Sequence, residues 1–444
     1  MSATVQRIPL SDNQEFLCAK DEGELSGSFG HRHILVNGWR ITGKVDIDAL
    51  QGALNDLVAR HEILRTLVVR DADPRHQEIH PPGRAPLLVR DLPPAAGKSR
   101  DLQAQELFNE AEAGTLSASH LPLLRAILGR FDEDDWALIL VTHHTATDAW
   151  SMSVLVRDLM ALYARRRSRD LPALPQVRQY REFADAQRAK SANDATRTYW
   201  RQNLGDARIF TLPAQRELVA GEGSSYSARA FTIDAATTKD AIAFAKAAEG
   251  SLFVVLLAVF YLLANEITGA TDPVVPTFSL GRDPRFYDTV GFCVNFLPIR
   301  TSLPAGSASF REIVALTRSS CLDAYTHDVP SVHIMAQAPG LMAGISRDLA
   351  IVTLEVVQAP EHARAGQAAN LEYAEIVRQE LEAGRELPGG MLWVFELSAR
   401  GEMEANAIYD RRQFDESYLD GLIARYRQLL TESLAEPGRQ RELR

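Results

Sequence analysis

Two adjacent histidines, His143 and His144, and an aspartate, Asp148, stand in VTHHTATDAWSM (141–152), directly after the apolar run WALILV (136–141). Histidine titrates nearer to neutral pH than any other side chain, so a pair at a strand end suits proton transfer or metal binding. Capping of a core strand is the competing structural role. Successive residues of an extended chain point to opposite faces, so one histidine is expected to face a reaction centre and the other to be structural. Asp148 falls at the mouth of the next helix, where Ser151 is also placed to cap. His144 and Asp148, at i and i+4, suit metal ligation only on one helix. The approach from a strand, the lack of HExxH and the lack of a nearby cysteine argue against a metal.

The elements that must carry these residues are legible as patterns. HILVNGWRITG (33–43) reads as a strand and VDIDALQGALNDLVARHEILRT (45–66) as a helix. In that helix Leu50, Leu54, Leu57 and Ile63 or Leu64 share a face, with Asp46 or Asp48 as cap. LRTLVVRD (64–71) is expected to be a strand, then a helix near 101–114, PLLRAILGRF (122–131), the strand 136–142 and the helix SMSVLVRDLMALYARRR (151–167). Pro172 and Pro175 interrupt the helical period in RDLPALPQVRQY (169–180), which sets the expected domains at 1–175 and 176–444. The second half predicts helices around 181–204, a strand near 228–233, a buried helix at 250–266 and a strand–loop region from 273 to 302. Strands near 349–357 and 391–409 and a helix at 415–434 complete it. Both halves mix helices and strands. The basic cluster ARRRSR (164–169) reads first as a solvated helix C-terminus and second as a docking patch for an acidic partner.

Length and composition bound the function. A chain of 444 residues fits two domains of about 200 residues each. A net charge of −10, with both signs interspersed, argues against nucleic acid as partner. Cys18, Cys293 and Cys321 lie far apart, forming neither a zinc spacing nor a disulfide framework, which suits a reducing cytoplasm. No apolar h-region opens the chain, and LFVVLLAVFYLLA (252–264) is too short to span a bilayer, so no membrane role is expected.

HHTATDAWS resembles the HHxxxDG motif, with its following Trp-Ser, of nonribosomal peptide synthetase condensation domains. RHEILRT (60–66) is similar to the family's RHExLRT element, and VGFCVNFLPIR (290–300) to GFFVNTLPLR, with GR at 281–282 before it. LSDNQEFL (10–17), PLLRAIL (122–128), QYREFADAQ (179–187), THDVPS (326–331) and ANAIYDRRQFDESYL (405–419) resemble further family segments in the same order. The resemblance covers nearly the whole chain.

It implies a mixed α/β fold of two chloramphenicol-acetyltransferase-like lobes meeting in a V around a tunnel. It also implies a free-standing acyltransferase of natural-product and antibiotic biosynthesis in the cytoplasm. No cofactor is expected to be resident. The donor arrives as a phosphopantetheine thioester on a peptidyl or acyl carrier protein met in trans, and an amine or alcohol acceptor attacks it to give an amide or an ester. The resemblance assigns His144 to catalysis and His143 to a supporting role. It assigns Asp148 and Arg282 to an ion pair expected to join the lobes across the cleft. The motif's glycine is Ala149 here, which would be strained if its φ were positive. Ser331 stands where the family has phenylalanine, a change expected to reshape the carrier or tunnel surface. An acyl-CoA-dependent alcohol or amine acyltransferase and a non-catalytic carrier-docking domain are the alternatives. Aspartates replace the first histidines in heterocyclisation domains, which excludes that branch, and Trp-Ser rather than Ser-Trp disfavours epimerisation.

Overall fold

The apolar run 136–141 becomes a strand, Asp135–His143, buried along almost its whole length because both faces of its sheet are covered. A computed structural model describes residues 5–168, 170–190, 193–218, 226–346, 348–357, 360–376, 390–398 and 400–444. Asp135–His143 lies inside a six-stranded sheet ordered Ala365–Ala368, Leu371–Glu375, Ile34–Thr42, Asp135–His143, Leu124–Arg130 and Leu87–Asp91. All neighbours are antiparallel except the last pair. Trp136, Leu138 and Leu140 pack on one face with Leu50, Leu54 and Leu57 of helix Ile47–Arg60 and Leu155 and Leu159 of helix Ala149–Arg167. Ala137, Ile139 and Val141 meet Ala104, Leu107, Phe108 and Ala111 of helix Arg100–Ala113 on the other. Each leucine withdrawn from water in this way contributes about 1.5–3 kcal/mol.

Contacts divide the chain into two compact units. One comprises Met1–Ser191, Leu280–Val294 and Ala359–Pro388; the other comprises Ala192–Ser279, Asn295–Gln358 and Gly389–Arg444. The expected division at 175 therefore shifts. Tyr180 and Phe183 of helix Tyr180–Ala189 bury in the first unit's core beside Phe286 and Val290, and two later segments return to the same core. Trp39 Nε1 donates to Ala363 O at 2.7 Å, and Ile376 N to Gly38 O at 2.9 Å, which ties the last of those segments to the sheet.

The second unit holds a five-stranded sheet ordered Thr211–Pro213, Leu349–Val357, Gly390–Leu397, Met403–Asp410 and Tyr226–Ile233. Its core is organised by helix Leu252–Thr268, whose residues from Val254 to Asn265 are buried. Tyr261 and Tyr426 satisfy their buried hydroxyls on Ile299 O and Leu256 O, each at 2.9 Å. No single helix among the described residues is long and apolar enough to cross a membrane.

The helix expected over 45–66 stops at Arg60. His61 adopts an extended conformation, a 3-10 turn follows at Glu62–Arg65, and Thr66–Val69 is a strand. The cause is Asp158, buried in the neighbouring helix. Its Oδ2 accepts from Arg60 Nε at 2.7 Å and from His61 Nε2 at 3.0 Å, and its Oδ1 accepts from Arg157 Nε at 2.9 Å. Burial, opposed by Asp158 and reinforced by the two arginines, lowers the His61 pKa. Burial alone would raise the Asp158 carboxyl, but the His61 and Arg60 hydrogen bonds and the Arg157 charge outweigh it and hold the group well below the usual carboxylate range. Two arginines of ARRRSR are surface-paired on the same helix pair: Arg166 with Asp56 and Arg167 with Asp46. Arg169 lies outside the described residues.

Asp158→Ala leaves Arg60 and the buried His61 without their carboxylate, while Arg157 keeps Asp288, and is expected to cost about 3–5 kcal/mol. Thermal unfolding of the two proteins at pH 7 checks this.

Candidate active site

Strand Asp135–His143 ends at His143, where Ile34 is its last partner. A tight turn follows. Ala146 N donates to His143 O at 2.9 Å, and the hydroxyls of Thr142 and Thr147 meet at 2.6 Å across the turn. Asp148 then caps helix Ala149–Arg167. His144 therefore sits in the turn, not on the helix with Asp148, and the i, i+4 relation is not a helical one. Among the described residues no cluster of three or more His, Cys, Asp or Glu side chains is disposed to hold a metal ion.

The two histidines differ in burial. His143 is fully buried; its Nε2–H donates to Gly30 O at 3.1 Å, and its Nδ1 accepts from Thr145 N–H at 3.2 Å and from the Thr145 hydroxyl at 2.9 Å. Both nitrogens are committed to neutral partners. Burial foremost, then the neighbouring His33 and Arg70, pushes its pKa down to about 3.

His144 is partly exposed, and its Nδ1 lies 2.7 Å from Thr147 O. A carbonyl oxygen only accepts, so Nδ1 carries the proton and the neutral ring has its lone pair on Nε2. Two rings contact this imidazole. His33 lies at 4.6 Å between centroids with a 30° tilt, and Phe292 presents an edge-on contact at 5.3 Å.

Asp148 is saturated. Its Oδ1 accepts from Ser151 N and Ser151 Oγ, each at 2.8 Å; its Oδ2 accepts from Arg282 Nη2 at 2.8 Å, Cys293 N at 2.9 Å and Val294 N at 3.2 Å. The ion pair is thus present and wholly buried. The expectation that it joins the two lobes is corrected, because Leu280–Val294 belongs to the same compact unit as Asp148. The pair instead closes one loop onto one helix N-terminus. Burial pushes the Cys293 thiol up to about 12, so it is no nucleophile near pH 7. Ala149 opens the helix in an exposed position and is not among the residues with positive φ, so the missing glycine causes no strain there. Trp150 Nε1 donates to Tyr287 O at 2.7 Å, a second tie to the loop.

Sequence reasoning did not find His33, Phe292, Tyr180 or Asn13. Tyr180 OH donates to Phe292 O at 2.9 Å and accepts from Ser11 Oγ at 2.8 Å, while Asn13 Nδ2 donates to Phe292 O and Val294 O at 3.2 and 3.0 Å. The pairing of HILV with LVTH was the available signal for His33. In the second unit Ser331 is buried. Its N and Oγ donate to Asn295 Oδ1 at 2.8 and 2.6 Å, where a phenylalanine has no hydroxyl to offer.

Three outcomes follow from this geometry. Asp148→Ala leaves the Arg282 guanidinium buried without its carboxylate, and the melting temperature is expected to fall by the equivalent of about 3–5 kcal/mol. In Gly291→Ala the new Cβ would lie 2.0 Å from the Tyr180 ring, so the ring or the loop must move, at about 1–3 kcal/mol by the same assay. His143 binds a proton in the unfolded chain below pH 6.5 but in the folded one only near pH 3, so stability falls as pH drops between those limits. Wild type is expected to lose about 2 kcal/mol more than His143→Gln between pH 7 and pH 5.

Residues 30–442 match the family model for the condensation domain. The SgcC5 protein from Streptomyces globisporus, solved in complex with (R)-(-)-1-(2-naphthyl)-1,2-ethanediol and sucrose, is 38% identical; the match covers 97% of this chain and 99% of that one with a TM-score of 0.91. The X-domain from teicoplanin biosynthesis is 24% identical, with 99% and 98% coverage and a TM-score of 0.81. Chondramide synthase cmdD from Chondromyces crocatus is 29% identical over 440 residues, which are 97% of this chain and 11% of that protein's length. The chain belongs to the condensation-domain family of nonribosomal peptide synthesis.

Proposed function

We propose that this chain transfers an acyl or aminoacyl group from a carrier-bound phosphopantetheine thioester to a hydroxyl or amine acceptor. His144 takes the acceptor's proton. The supporting observation is the His144 tautomer: with Nδ1–H given to Thr147 O, the basic nitrogen is Nε2. As the acceptor oxygen or nitrogen bonds to the thioester carbonyl carbon, its proton moves to Nε2. The C–S bond then breaks, and the proton returns to the leaving thiolate. Phosphopantetheine supplies the activated thioester, and no residue is assigned here to hold it.

A hydroxyl acceptor is favoured over an amine, because SgcC5 at 38% identity was solved with an aryl-substituted ethanediol. That acceptor makes the base matter most. An α-amino group with a pKa near 7.7–8.0 is about one-tenth free base or more at pH 7, whereas an alcohol is almost wholly protonated. His144→Ala is therefore expected to lower ester formation by about 10²–10⁴-fold and amide formation much less.

The test offers one aminoacyl group on a carrier protein and on coenzyme A to paired acceptors, (R)-1-(2-naphthyl)-1,2-ethanediol and the matching amino alcohol, with mass detection. Histidine-dependent product from the carrier thioester supports the reading. Equal or faster turnover from coenzyme A moves the chain to the acyl-CoA-dependent acyltransferases. Equal losses for ester and amide in His144→Ala replace proton transfer with positioning.

A further inference from the structure

We infer that His33 is a positioning residue for His144: its imidazole, packed at a 30° tilt against the His144 ring, helps to set the plane in which Nε2 acts. This rests on the proposed role of His144. The hydrogen bond from Nδ1 to Thr147 O fixes one point of the His144 ring. Phe292 meets the ring edge-on at 5.3 Å, and His33, 4.6 Å away and tilted by 30°, backs its face.

His33 is itself held firmly enough to act as a template. It is buried, its N–H donates to Gly30 O at 2.8 Å, and its Nδ1–H donates to Ser28 O at 2.8 Å. Its carbonyl accepts the His144 N–H at 2.9 Å, so the two residues face each other just beyond the last registered pair, Ile34 and His143. Side chains opposed across antiparallel strands lie close enough to interact directly. One short turn, Ser28 to His33, thereby orients both histidines of the motif. Gly30 O takes the His143 proton, and the ring anchored on Ser28 O backs His144.

The experiment reads the ring itself before it reads turnover. Long-range ¹H–¹⁵N spectra of the full chain labelled in histidine are compared for wild type, His33→Phe and His33→Ala, with His144→Ala used to assign the signal. Wild type and His33→Phe are expected to show His144 as a single Nδ1–H tautomer; His33→Ala is expected to show the averaged pattern of a mobile ring. Should His33→Ala fail to fold, His33→Leu, which fills the space without a flat ring, takes its place. In the transfer assay kcat is expected to fall by about tenfold or more in the ringless variant, with KM nearly unchanged, because misplacement of a reacting group is expensive at near-attack distances. His33→Phe is expected to recover most of that loss. An unaltered His144 signal in the ringless variant overturns the inference. So does a loss of kcat in His33→Phe as large as in the ringless variant. A His144→Ala protein with wild-type turnover would instead overturn the proposed function, leaving the spectral result to stand alone.

Discussion

The Asp148 carboxylate is the interaction on which the rest of the site depends. Five donors converge on its two oxygens, from Ser151, Arg282, Cys293 and Val294. Through them the first turn of one helix and the far end of a distant loop become one rigid object. The loop then presents the Phe292 ring to His144. A buried ion pair is weak evidence for stability in itself, because desolvation offsets much of its attraction. What this one adds is geometry: a charged anchor with every lone pair used tolerates few alternative arrangements, so the Phe292 ring beside His144 is fixed by electrostatics from behind.

The same economy is visible in the histidines. His143 and His144 place their ring nitrogens on carbonyl oxygens and a threonine. A carbonyl only accepts, so the contact with Thr147 O defines which nitrogen of the neutral His144 ring bears the proton. A carboxylate in that place would have stabilised the protonated ring and raised its pKa. Asp148 sits at the helix N-terminus with its charge turned toward Arg282 on the loop.

Much of this was legible in the sequence, and the limit has a physical cause. Strand 136–142 and helix 151–167 were visible because burial on both faces and helical spacing leave periodic signals in neighbouring residues. The places of His144 and Asp148, at a strand end and a helix mouth, were visible because the motif is local. His33 was not, since HRHIL carries no pattern and its meaning comes from register with a strand about a hundred residues later. The premature end of the helix at Arg60 was hidden for the same reason, because Asp158, which draws His61 inward, reads as an ordinary polar position in its own helix. The assignment of Leu280–Val294 to the first unit followed from no composition shift at all. It depends on one arginine, one tyrosine and a glycine without room for a Cβ.

That interleaving bears on how the chain is made. Strand Ile34–Thr42 has its second neighbour, Leu371–Glu375, more than three hundred residues downstream. During synthesis at about 5–20 residues per second, this strand's open edge waits on the order of half a minute for its partner. An unpaired edge of that kind is a template for the wrong strand. The nascent first unit is therefore the stage at which this protein is most exposed to misassembly, and the interval, set by topology and not by stability, is the same for every variant that keeps the chain length.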